Sequence, residues 1–181
     1  VNQEINVRVK SICAVVLAFA FLIGAAARSQ TAQAENPTKK LGAYLGKWQT
    51  QGNFAGGAKI STTLDCRWSP QGSFLICEQL IKMAGSDHRQ LTVYSYDSKA
   101  GTYSYTTLSD PGAEPTAGTV QIKGNLWTYD SSFEANGKTT MIRTTNEFTD
   151  PKTEVFKVAT SDDNGMHWKP VLEGKAQKVG D

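Results

Sequence analysis

The sequence predicts an all-β fold: an antiparallel up-and-down barrel of about ten strands behind a short N-terminal helix. Three observations carry this. From Lys47 onward, segments that alternate apolar and polar residues recur, with turn signals roughly every ten residues. No segment after Gly46 keeps helical periodicity for more than about two turns. The turns join sequence neighbours, so the strands pair as successive hairpins, and closing such a set into a barrel removes its exposed edges.

The first 34 residues read as a secretory signal peptide. Arg8 and Lys10 precede an apolar run from Ile12 to Ala27, and Thr31-Ala32-Gln33-Ala34 supplies an A-x-A cleavage site. The alternative, a membrane anchor, needs about 20 apolar residues, and this run is shorter. Cys13 lies in the run with no lipobox before it. Cleavage after Ala34 leaves a single domain, residues 35–181, long enough for a core of its own. It also removes Arg8, Lys10, Arg28 and Glu4, leaving 16 basic and 16 acidic residues. A mature net charge near zero gives no reason to expect a nucleic-acid partner. The expected compartment is periplasmic or extracellular, with no membrane span after cleavage.

Within the domain, Asn36-Pro37 opens a short helix with Pro37 near its first position. Leu41, Tyr44 and Leu45 fall at helical spacing, Gly46 ends the helix, and Lys47 to Thr50 begins a strand. Phe54-Ala55-Gly56-Gly57 is a loop. A central hairpin follows, from Lys59 to Met83. Ile60, Thr62, Leu64, Cys66 and Trp68 alternate with Lys59, Ser61, Thr63, Asp65 and Arg67, the period of a half-buried strand. A two-residue turn at Gln71-Gly72 sets Trp68 against Leu75 and Cys66 against Cys77. The two cysteines that remain after cleavage of an exported chain read as a disulfide, the alternative being two buried thiols.

The remaining strands are Leu91 to Tyr96, Tyr103 to Thr106, Thr119 to Lys123, Leu126 to Phe133, Thr139 to Phe148, Glu154 to Thr160 and His167 to Gln177. Turns lie at Ala84 to Asp87, Asp97 to Gly101, Asp110-Pro111-Gly112, Gly124-Asn125, Asn136-Gly137 and Asp150-Pro151. Asn136-Gly137 is the strongest short hairpin signal among them.

Gly46-Lys47-Trp48, where the helix meets the first strand, resembles the G-x-W motif of lipocalins and the wider calycin group. The resemblance implies that Trp48 plugs one end of the barrel beneath the helix, under a basic side chain from the last strand. That strand offers Lys175 or Lys178 and no arginine, and a counterpart of the second lipocalin motif is missing. Read from the residues alone, Trp48 and Trp68 are core. The mature chain also resembles DUF1579, a bacterial family of exported uncharacterised proteins. The matching residues are Leu45-Gly46-Lys47-Trp48, Cys66-Arg67-Trp68, Tyr96-Asp97, Gly124-Asn125-Leu126-Trp127 and Ser161 to Trp168. This implies a calycin-like barrel and no particular chemistry.

Ser161 to Trp168 fits the Asp-box pattern S-x-D-x-G-x-x-W that recurs in sialidase propellers. Its physics is local: Asp163 accepts backbone N–H bonds, Gly165 takes positive φ and Trp168 packs beneath. A propeller needs several copies, so one copy here is a structural staple in a hairpin.

Catalytic and metal-binding patterns are missing. His88 sits in a polar turn and His167 beside the Asp box, neither at metal-ligand spacing to another His or Cys. With both cysteines paired there is no thiol nucleophile, and no G-x-S-x-G elbow or phosphate loop is present. An enzyme is not expected, nor a cofactor or metal. What stands out is aromatics on strands. The expected role is non-catalytic binding of a small, mostly apolar ligand at the barrel end opposite Trp48. The expected lining is Tyr94 or Tyr96, Tyr105, Trp127 and Arg143, with Arg143 holding an anionic end if the Met141 face of its strand points inward. If that face points outward, Arg143 is a surface residue. A barrel with no cavity reaching Trp127 is instead a filled structural or protein-interaction module.

Overall fold

A computed structural model describes residues 36–110, 112–135 and 137–181. The signal segment and its cleavage site lie outside the described residues, as does Asn136 of the Asn-Gly turn. Asn36 caps a 3₁₀ helix, Pro37–Tyr44, by accepting the Thr38 N–H on its side-chain oxygen. Pro37 opens that helix and Leu41 and Tyr44 are its buried residues.

Among the described residues ten strands follow: β1 Gly46–Phe54, β2 Lys59–Trp68, β3 Phe74–Met83, β4 Ser86–Asp97, β5 Thr102–Asp110, β6 Ala113–Lys123, β7 Leu126–Ala135, β8 Lys138–Asp150, β9 Thr153–Ser161 and β10 Lys169–Gly180. Each pairs antiparallel with its sequence neighbours, and β10 pairs back onto β1 to close the barrel. This is the expected up-and-down topology.

The central hairpin takes the expected register, Trp68 opposite Leu75 and Cys66 opposite Cys77. Its connection is longer than a two-residue turn. The Ser69 N–H bonds the Phe74 carbonyl, and the chain turns through Pro70 to Ser73 about the same centre, so the register is kept. Cys66 and Cys77 form a disulfide with their Cα atoms 4.1 Å apart. The next turn is shorter than expected. Met83 pairs with Ser86 across Ala84-Gly85, both with positive φ, the signature of a tight hairpin turn. His88 and Arg89 therefore lie in β4 rather than in a turn.

Pairing between β6 and β7 runs from Thr119–Asp130 to Lys123–Leu126. Past it the Tyr105 ring covers Gly118, where a Cβ would meet the ring at 2.9 Å. Gly46 is a second position that needs glycine: its φ is +90° and a Cβ would strike the Gly180 carbonyl of β10. The glycine of the Gly46-Lys47-Trp48 motif thus lets β10 close onto β1.

Outward positions on β1 and β2 carry Lys47, Gln49, Gln51 and Asn53, then Lys59, Ser61, Thr63, Asp65 and Arg67. This is the inverse of a lipid-facing barrel wall. No helix among the described residues is long and apolar enough to cross a membrane.

Candidate functional site

The barrel interior has two halves. At the helix end it is filled. Trp48 is 1% exposed, and its indole N–H donates to the Tyr44 carbonyl at 2.9 Å. Tyr44 hangs from the helix into the barrel and meets the edge of Trp127 at 4.9 Å and of Phe148 at 5.0 Å between ring centres. Tyr94 stacks on Tyr44 at 6.2 Å, and Tyr129 packs on Tyr105 at 5.6 Å. Tyr96 sits against Tyr103 at 4.8 Å, and Tyr103 ties the helix down through its hydroxyl to the Pro37 carbonyl. Trp68 packs on the same cluster beside Gly42. These edge-to-face contacts leave no space around Trp127, itself 1% exposed.

Beyond Tyr44, Trp48 and Tyr94 the interior opens into a cavity of about 220 Å³. Small residues on β1 and β10 make the room. Thr50 pairs with Ala176, and Gly52 pairs with Gly174. The Phe156 ring occupies the space over the two glycines, where a Cβ on either would collide with it. Ile60, Ile81 and Leu172 supply apolar lining, beside Gln79, Thr92 and Thr144.

One carboxyl enters this space. Glu154, 5% exposed, faces Ala176 across the β9–β10 ladder. Burial raises its pKa from 4.5 to about 7, and a hydrogen bond from the Tyr44 hydroxyl offsets part of that shift. The same hydroxyl accepts from the Asn146 amide, so Glu154 and Asn146 converge on Tyr44. Burial also pushes the phenols of Tyr44, Tyr94 and Tyr129 up, so all three stay neutral. Two polar atoms on the cavity wall, Thr62 Oγ1 and Asn146 Oδ1, are buried without a hydrogen-bond partner. Such groups are uncommon in folded proteins and each costs free energy. Among the described lining residues there is no lysine, arginine or histidine.

The structure separates the residues expected to form one lining. Of Tyr94, Tyr96, Tyr105, Trp127 and Arg143, Tyr94 alone lines the cavity. Tyr94 and Tyr96 have the same parity and both face inward, but Tyr96 is spent on packing against Tyr103. Trp127 is not among the residues that line the cavity. Arg143 is on the outer wall: its Nε and Nη2 donate to the two Asp130 oxygens at 2.7 and 3.1 Å, and its guanidinium stacks 4.3 Å from the Trp168 ring. The Met141 face thus points outward, because β8 pairs Thr144 with inward Tyr129 and Arg143 with Asp130. Glu154, Asn146 and Thr62 were missed. The available signal was Glu154 itself, which alternates in phase with Phe156 and Val158 and out of phase with Lys157.

Two other expected features stand apart from the cavity. Asp163 accepts from Ser161 Oγ at 2.7 Å and from the His167 N–H at 2.9 Å, and its other oxygen meets His167 Nδ1 at 2.6 Å. These bonds hold its carboxyl far below the usual carboxylate range. Gly165 takes φ +85° above Trp168. Lys178 pairs in register with Trp48, but its ammonium turns to Asp181 at 2.6 Å. Two larger hollows, about 680 and 900 Å³, are lined mostly by outward-facing side chains and lie on the barrel surface.

A helix-capped, closed barrel of successive hairpins, filled at the helix end and hollow at the other, is a lipocalin-like protein in its class of fold. No protein-family model and no curated protein matches the chain. The chain is similar to several solved structures. Rv2717c from M. tuberculosis is 13% identical, with a TM-score of 0.54 over 80% of this chain and 98% of its own. The S-type phycobiliprotein lyase CPES from Guillardia theta is 10% identical, with a TM-score of 0.50 over 79% of this chain and 91% of its own. A de novo designed fluorescence-activating β-barrel is 10% identical over 78% of this chain and 98% of its own, with a TM-score of 0.44.

Proposed function

We propose that this protein is an exported, non-catalytic carrier that holds one small, mostly apolar ligand in the barrel half beyond Tyr44 and Trp48. One observation carries the reading: a cavity of about 220 Å³ whose wall holds Thr62 Oγ1 and Asn146 Oδ1 buried and without partners. A ligand with a polar end satisfies them, and Ile60, Ile81 and Leu172 take its apolar part. The expected site around Trp127 is dropped. Export is supported by the disulfide, which persists in oxidising compartments, and by the signal-like N-terminal sequence. Membership of DUF1579 rests on the sequence resemblance alone. The phycobiliprotein lyase lends its fold to this reading and no chemistry.

A second reading, a structural or protein-interaction module, is favoured by the dense packing at Trp127 and by the outer hollow containing Leu80, Leu91 and 49%-exposed Leu108. Native mass spectrometry of protein purified from its own host separates the two. Added mass of one small molecule supports the carrier. A bare mass, together with no uptake of small apolar probes, overturns it and leaves the module.

A further inference from the structure

Resting on the carrier reading, we infer that the ligand carries a cationic nitrogen, a protonated amine on a short apolar body, and that Glu154 is its counter-ion. Glu154 is buried with no basic side chain beside it in the described wall. A carboxylate inside a barrel is costly unless paired, and no residue of this wall provides the pair. The space for a partner is next to it. On the rung that runs from Glu154 through Ala176 and Thr50 to Thr62, the two residues between are short.

The hydrogen-bonding groups point the same way. Asn146 uses its amide N–H₂ on Tyr44, which leaves its Oδ1, an acceptor, buried in the cavity wall without a partner. An ammonium has several donors and no acceptor, which suits a carboxylate beside a free carbonyl oxygen. An anionic ligand meets the opposite. It would lie against Glu154 and Asn146 Oδ1, with Arg143 outside the barrel and held by Asp130. The cavity has room for about seven water molecules at ~30 Å³ each, so the body is short. Ile60, Ile81, Leu172 and Phe156 supply the apolar part of its surroundings, beside Gln79 and Thr92.

Three probes of one length test this: n-hexylamine, 1-hexanol and hexanoate, titrated against the intact domain by calorimetry at about pH 8, where the amine is protonated and the acid ionised. The quenching or shift of Trp48 fluorescence gives a second readout, since its ring borders the cavity. Hexylamine should bind about tenfold or more tighter than hexanol, the usual advantage of a charge-assisted hydrogen bond, and hexanoate more weakly than either. In Glu154→Gln the amine preference should vanish while hexanol affinity holds, which also shows that the variant is folded. Hexanoate binding as tightly as hexylamine, or an amine preference that survives Glu154→Gln, overturns the inference. Equal binding of amine and alcohol to the wild type overturns the amine and leaves the carrier. No binding of any probe to folded, disulfide-bonded protein overturns both.

Discussion

Glu154 and Ala176 face each other inside the barrel on paired strands, and the methyl group of Ala176 is too short to cover the carboxyl. The cavity exists because that pair is unequal. Ala176→Leu should fill it. Overpacking of a tight core costs about 1–3 kcal/mol, but here the added atoms enter open space, so the loss should fall at or below that range. Binding of hexylamine or hexanol should drop by about tenfold or more. Undiminished binding in this variant would place the ligand elsewhere.

The same carboxyl makes stability pH-dependent. Its folded pKa is raised, so the folded state holds the proton more tightly than the unfolded chain. The stabilisation is complete below about pH 4.5 and is lost as pH rises through about 7. The full loss is on the order of 3 kcal/mol at 1.36 kcal/mol per pKa unit. Denaturant midpoints measured from pH 4 to 8 should fall across that window in the wild type. Glu154→Gln should remove this component and leave the contribution of the surface carboxylates. Wild-type and variant curves of the same shape would show that the carboxyl is hydrated.

Trp48 joins helix, β1 and β8 through Tyr44 and Phe148. Trp48→Ala should cost about 3–5 kcal/mol, as other large core truncations do. A loss under about 1 kcal/mol in urea unfolding would show that it does not plug the barrel end.

The Cys66–Cys77 bridge closes a loop across 11 positions. The chain-entropy account assigns it about 2–3 kcal/mol. Denatured, unreduced mature protein, residues 35–181, should show no free thiol in a titration, and reduction should lower the unfolding midpoint accordingly. Two titratable thiols would contradict both the bridge and the export reading.

Arg143 provides the control. It is 40% exposed between Asp130 and Trp168. Surface ion pairs and exposed cation–π contacts are each worth up to about 1 kcal/mol. Arg143→Ala should therefore shift stability little and leave hexylamine affinity unchanged. A loss of affinity would return Arg143 to the site.

Local order was written in the chain. Alternation from Ile60 to Trp68 and the turn signals around Gly72, Gly85 and Gly137 dictate hairpins, and hairpins of that number close into a barrel. The symmetry of the central hairpin placed Cys66 opposite Cys77 even though its loop is longer than a two-residue turn. What alternation gives is which residues share a face. Which face is inside depends on partners far along the chain. Arg143 and Thr144 were equivalent choices until Tyr129 paired with Thr144 and turned Arg143 out to Asp130. The aromatic strands looked like a lining and became the filling, because Tyr44 reaches in from the helix and stacks among them. The cavity came instead from Ala176 and Thr50, short residues that carry no binding signal of their own, while Gly52 and Gly174 give room to the Phe156 ring. Their smallness matters only once β10 closes on β1, and the same closure turns Glu154 from the start of a strand into a buried acid.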